Sequence, residues 1–133
     1  MTGIELARAA EALLGRPWRL HGRDPATGLD CIGVLGAALG PTARLPTGYP
    51  LRLRQLGAWL PDPAALGFAP AGDPVQPGDV VLIRVGPAQH HLAIAGHPDG
   101  WVHAHAGLRR VVHQADPPPG SWLGHWRLAS QQD

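Results

Sequence analysis

Cys31 is the only cysteine in a chain of 133 residues, and it is set among eight histidines: His21, His90, His91, His97, His103, His105, His113 and His125. A thiol and an imidazole held together make a nucleophile and its base. With one cysteine there is no intramolecular disulfide and no cysteine-based zinc site. Asp30 precedes an apolar run and is a natural helix N-cap. That sets Cys31 in a first turn, where free N–H groups and the helix dipole favour an anionic sulfur. The Asp30 carboxylate works against this by raising the thiol's pKa, and a nearby cation, usually a histidine, has to offset it. The plain alternative is that Cys31 is a small hydrophobe filling the core.

Among the histidines, His91 and His103 stand apart through strand geometry. Side chains alternate faces along a strand. If the turn between their strands has three residues (Gly96–Pro98), His91 lies opposite His103. If it has five (Gly96–Gly100), His91 lies opposite His105 and diagonal to His103. Either odd count puts His91, His103 and His105 on one face within reach of each other; a four-residue turn would bring His90 there instead. Ala93 and Ala95 share the His91 face, and their small size leaves room for a helix N-terminus to dock, with Leu92 and Ile94 in the opposite layer. The spacing does not choose between His103 and His105 as the group that orients His91. A three-histidine metal site is the competing chemistry, but a zinc hydrolase wants a carboxylate base. Both glutamates are N-terminal, and Asp99 and Asp116 fall in turns. The expectation is therefore no metal and no cofactor. His97 reads as a solvated turn residue, and His113 and His125 lie near strand ends with no evident partner.

The elements that must position these groups follow from periodicity. Residues 3–14 carry apolar positions at helical spacing, with Thr2 as cap and Gly15-Arg16-Pro17 as stop. Residues 18–29 read as a loop. Residues 31–39 read as a short buried helix stopped by Gly40-Pro41, in which Gly33 and Gly36 allow close approach by other elements. Residues 51–60 are a further helix candidate, and 61–78 is a proline-rich loop. From residue 79 the pattern turns to strands at 80–85, 91–95, 101–106, 109–113 and 121–128. Helices first and consecutive short strands after them is the α+β pattern, helices packed on an antiparallel sheet, in one domain over residues 1–133.

Composition removes some functions. Hydrophobic residues make up 44% of the chain and the formal charge is +1, all basic residues being arginine. That supplies no basic patch for nucleic acid. The first residues lack a signal peptide's pattern, and no apolar run could span a membrane. The sequence thus predicts synthesis as a soluble cytoplasmic chain, with no membrane partner.

Several segments resemble the NlpC family of cell-wall cysteine peptidases: Gly15-Arg16-Pro17-Trp18, His21-Gly22-Arg23, Gly28-Leu29-Asp30-Cys31-Ile32-Gly33, Pro77-Gly78-Asp79-Val80-Val81, His91-Leu92-Ala93-Ile94 and Val102-His103-Ala104. They span about residues 5–128 in the family's order. The resemblance implies a papain-like α+β fold, with the nucleophile Cys31 at a helix N-terminus, His91 as base and His103 as its orienting residue. Trp18, His21, Arg23, Asp30 and His105 are then the candidates for holding substrate. Ile32 stands where the family commonly has serine, and Trp18 near a common tyrosine. Ile32, with no signal peptide or wall-binding module, looks more like the branch found with phage tails and gene-transfer particles. The implied substrate is the stem peptide of peptidoglycan, cut as an endopeptidase or amidase would cut it, with the protein reaching the periplasm or cell wall on such a particle and contacting its tail proteins. An acyl transferase or thioesterase using the same Cys-His site, and a structural tail-tip module without activity, are the competing readings.

Overall fold

A capping box starts the first helix: the Glu5 N–H donates to Thr2 Oγ1 at 3.1 Å, and the Thr2 N–H donates to Glu5 Oε1 at 2.9 Å. The computed structural model describes residues 1–41, 43, 45, 62–87 and 89–129. Helix α1 spans Gly3–Glu11, shorter than the 3–14 expected. After Ala12 the chain leaves the helix because its backbone is needed elsewhere. The Gly15 N–H donates to the Val111 carbonyl, the Val111 N–H to that of Arg16, and the Trp18 N–H to that of Arg109. Residues 15–18 thus line the free edge of a later strand and protect it.

Two short strands, β1 (Arg23–Asp24) and β2 (Gly28–Leu29), form a hairpin ahead of helix α2 (Cys31–Leu39). Both lie in the segment read as loop; two-residue strands leave no periodic signal. Asp30 is the N-cap of α2 and Gly40 its C-cap at φ 105°, as expected. Gly33 and Gly22 are required where they stand: a Cβ at Gly33 would overlap the Gly22 carbonyl, and one at Gly22 would overlap that of Gly28. The loop carrying His21 and Arg23 is thereby pressed against the first turn of α2. The helix expected at 51–60 lies outside the described residues.

A 3-10 turn at Pro63–Leu66 leads into β3 (Phe68–Pro70), within the segment read as proline-rich loop. Pro70 ends an edge strand, where its missing N–H costs little. Then come β4 (Val80–Gly86), β5 (Gln89–Ala95), β6 (Trp101–His105), β7 (Arg110–Gln114) and β8 (Ser121–Leu128). They form one antiparallel sheet in the order β3-β8-β4-β5-β6-β7. The architecture is α+β: among the described residues, two α-helices against an antiparallel sheet.

The alternation of each strand divides the apolar residues between two clusters. Leu82, Leu92, Ile94, Val102 and Ala104 meet Leu6, Ala10, Ile32 and Leu35 of the helices. Val81, Ile83, Ala93, Ala95 and Trp101 form a second cluster on the other face. The helices therefore dock on the Leu92/Ile94 face, not on the Ala93/Ala95 face as the small residues suggested. Apolar volume decides the docking face, because a helix gains more by burying Leu and Ile than Ala.

Candidate active site

The turn between β5 and β6 is the five residues Gly96–Gly100, closed by Gly96 N–H to the Gly100 carbonyl at 2.8 Å. Its parity brings His91, not His90, to the face of His103 and His105. The β5–β6 ladder runs through only two pairs, Ile94 with Val102 and Ala95 with Trp101. Beyond them the Leu92 N–H interacts with the Cys31 sulfur, and α2 packs against both β5 and β6. The nucleophile candidate thus meets the sheet where the two strands part, one residue along β5 from His91.

A line of hydrogen bonds crosses three strands there. His91 Nε2 lies 2.8 Å from His103 Nδ1, and His103 Nε2 lies 2.8 Å from Gln114 Oε1. Gln114 Nε2 donates to the Asp116 carbonyl at 2.7 Å. The His91 and His103 rings meet edge to face, with centroids 4.8 Å apart. Sequence reading missed Gln114. Its register partner on β6 is Trp101, and reading the β6–β7 hairpin with the parity argument used for β5–β6 would have found it. His105 stands to one side, its ring 5.8 Å from that of His103, and its Nδ1 accepts the Leu108 N–H at 3.0 Å. The structure therefore puts His103, not His105, against His91.

The N-terminus of α2 is built around Asp30, which is 4% exposed. Its Oδ1 accepts the Gly33 N–H at 2.8 Å and an Arg23 guanidinium N–H at 3.1 Å, and its Oδ2 accepts the His21 N–H at 2.8 Å. Asp30 thus holds the 21–23 loop to the helix. Arg23 also donates to the Gly22 carbonyl at 2.9 Å, and its positive charge favours a Cys31 thiolate. His21 sits with φ 62° in the left-handed region. Trp18 is partly buried against the main core and bridges to Leu29. Of the five residues considered for holding substrate, Arg23 and Asp30 are next to Cys31, His21 is tied to Asp30 through its backbone N–H, His105 is next to His103, and Trp18 packs inward.

The electrostatics differ from the ion pair that the helix dipole suggested. Cys31 is half-buried. Burial first, then the Asp30 carboxylate, push its thiol up to about 12; the Leu92 and Ile32 N–H groups and Arg23 pull the other way and do not win. Residual access to water tempers that rise. Burial, then His103 and His105, push His91 down to about 3. Burial also lowers His103, against the Gln114 hydrogen bond. Both directions favour the uncharged forms, the Cys31 thiol and the neutral His91 imidazole.

These directions have a consequence for stability. His91 and His103 bind a proton more weakly folded than unfolded, so the penalty is absent above the unfolded value near 6.5 and grows as pH falls below it. Each group adds a slope of up to about 1.4 kcal/mol per pH unit. The urea midpoint is expected to fall between pH 7 and pH 5, less steeply in His91→Gln. A midpoint that stays level over that range in the native protein would contradict it.

Both ring nitrogens of His103 are hydrogen-bonded. Among the described residues no group of three or more His, Cys, Asp and Glu is arranged to hold a metal ion, and no helix is long and apolar enough to cross a membrane. Two histidines without an evident partner in the sequence have one: His125 Nε2 donates to Asp79 Oδ2 at 2.7 Å, and His113 Nε2 to the Asp99 carbonyl at 3.2 Å. Compared with known proteins, the chain matches no family model, and no curated protein aligns with it significantly.

Proposed function

We propose that the protein is a thiol-dependent hydrolase of peptidoglycan stem peptides, an endopeptidase or amidase of papain-like arrangement. The observation that carries this reading is the hydrogen-bonded line His91–His103–Gln114 starting on the strand whose Leu92 N–H interacts with the sulfur of Cys31, a cysteine at a helix N-terminus. In the proposed reaction Cys31 Sγ attacks the amide carbonyl carbon while its proton passes to His91. The proton then goes to the leaving amine as the C–N bond breaks, and a thioester remains. Water attacks the thioester, giving a proton to His91; the C–S bond breaks, His91 returns that proton to the sulfur, and the product leaves as a carboxylic acid that ionises in water. Of the first N–H groups of α2, Gly33 serves Asp30 Oδ1, Val34 serves the Asp30 carbonyl and Ile32 faces the sulfur. The Cys31 N–H is left to hold the oxyanion.

The substrate class comes from the likeness of the Asp30-Cys31 and His91-Leu92 segments to the NlpC family. Ile32 supports delivery by a phage-tail or gene-transfer-like particle, with its tail proteins as partners and the periplasm or cell wall as the place of action. The decisive experiment incubates purified peptidoglycan with the native protein, Cys31→Ala and His91→Ala, and weighs the released peptides. Release by the native protein alone supports the reading, and the fragment masses name the bond. Equal behaviour of all three sinks it. A second reading, an inactive structural module of the same fold, is favoured by the protonated Cys31 thiol. It predicts no release and slow labelling of Cys31 by a thiol probe.

A further inference from the structure

We propose that Gln114 is a positioning residue that sets the protons of both histidines: it holds the His103 proton on Nε2, which holds the His91 proton on Nε2 and leaves His91 Nδ1 as the free base. Donor and acceptor chemistry alone fixes these protons. The Asp116 carbonyl can only accept, so the Gln114 group 2.7 Å from it is the NH2, and Oε1 is the group turned to His103. An amide oxygen also only accepts, so His103 Nε2 must carry a proton. In the neutral ring the other nitrogen then has a lone pair and no proton. His103 Nδ1 therefore accepts, and the 2.8 Å contact with His91 Nε2 requires the proton to sit on Nε2 of His91. His91 Nδ1 is the lone pair that remains. One fixed carbonyl in the turn after β7 thus decides, through two side chains, which nitrogen of His91 can take a proton.

The choice of a neutral amide matters as much as its position. Gln114 accepts the Nε2–H of His103 without adding a charge that would favour the imidazolium. If His103 were protonated it would donate from both nitrogens. His91 Nε2 would then have to accept, its proton would move to Nδ1, and the base would be blocked. The titratable groups acting on His103 are His91 across the 2.8 Å contact and His105 with rings 5.8 Å apart. Cys31 lies beside Leu92, and Arg110 stands opposite His105 on β7. None of these is a carboxylate that would favour a charged His103.

The tautomer assignment stands without the hydrolase reading; the role of His91 Nδ1 as base rests on it. Two measurements separate them. Nitrogen-resolved NMR of the imidazoles in the native protein should show the Nε2–H tautomer for both His91 and His103 at neutral pH. The Nδ1–H form of His103 would overturn the proposal, whatever the protein hydrolyses. The second uses Gln114→Glu, isosteric and able to accept the same hydrogen bond, so that folding is kept. Its carboxylate should favour charged His103 and move the acid limb of kcat/KM upward by about one pH unit or more, with activity recovering at higher pH. It should also move the His91 proton to Nδ1 in the NMR spectrum as His103 charges. A merely structural glutamine would leave the acid limb in place, and that result would also overturn the proposal. Gln114→Met, which cannot accept the proton, should mix the His103 tautomers and lower kcat by about 10–100-fold with little change in KM.

Discussion

His91→Ala should slow peptide hydrolysis by about 10²–10⁴-fold at neutral pH while the protein stays folded. The resting Cys31 thiol, pushed up to about 12, is almost wholly protonated at pH 7. A thiol in that state is a poor nucleophile unless its proton leaves as the S–C bond forms. In the proposed reaction His91, the residue before Leu92 on β5, takes it. At about 3 it is a weak base before the reaction starts, but the charge developing on sulfur and on the carbonyl oxygen stabilises an imidazolium beside it. In the proposed reaction the attack is general-base assisted and starts from the thiol rather than from a thiolate–imidazolium pair. A further result follows. In His91→Ala the rate should rise with pH up to the alkaline range, because hydroxide then has to generate the thiolate. The native protein should instead be level over neutral and mildly alkaline pH. A pH–rate profile of both proteins checks this, with circular dichroism as the folding control. If His91→Ala keeps more than about a tenth of native activity at pH 7, His91 is not the base.

What the sequence made legible was whatever rests on local chemistry or on parity. Thr2 and Asp30 cap helices because short polar side chains reach first-turn N–H groups, and both are readable in place. The alternation of β4 to β8 is equally plain, and an odd turn between His91 and His103 leaves them on one face whatever its length. Illegible were effects that depend on distance and volume. Which face of β5 receives the helices turns on the summed bulk of Leu92 and Ile94 against Ala93 and Ala95. The protonation of the Cys31–His91 pair turns on burial, which outweighs the helix N–H groups and Arg23 together. Gln114 carries no local signal at all; it matters only because β7 pairs with β6 and brings Oε1 to the second nitrogen of His103. The strands β1 and β2 escape for the same reason: they are held by pairing and by residues 17–19, whose backbone bonds to Leu29.

Asp79→Ala should cost about 2–4 kcal/mol of stability, the largest loss expected from a residue away from the site. Asp79 is fully buried, yet both of its oxygens are satisfied. Arg127 donates to Oδ1 from Nε and to Oδ2 from Nη2, each at 2.8 Å, and Oδ2 also accepts from His125 Nε2 at 2.7 Å and from the Gln76 N–H at 3.0 Å. Arg127 Nη2 reaches on to the Gly72 and Pro74 carbonyls. One carboxylate thereby ties the loop before β4 to β8, and Arg127 with the other donors holds it well below the usual carboxylate range despite burial. Removing it leaves several donors without their acceptor, and the guanidinium loses its counter-charge. The side chain of Arg127 keeps 23% of its surface exposed, so the cost stays below that of breaking a wholly buried pair. In a domain of this size such a loss lowers Tm by about 10 °C. Asp79→Asn, which retains an acceptor but loses the charge, should fall between the two. Well below the melting transition, the rate per folded molecule should be unchanged, because neither Asp79 nor Arg127 belongs to the His91–His103–Gln114 line. Thermal and urea melts of the three proteins test the claim, and a loss under about 1 kcal/mol for Asp79→Ala would show that the tie is not holding β8 in place.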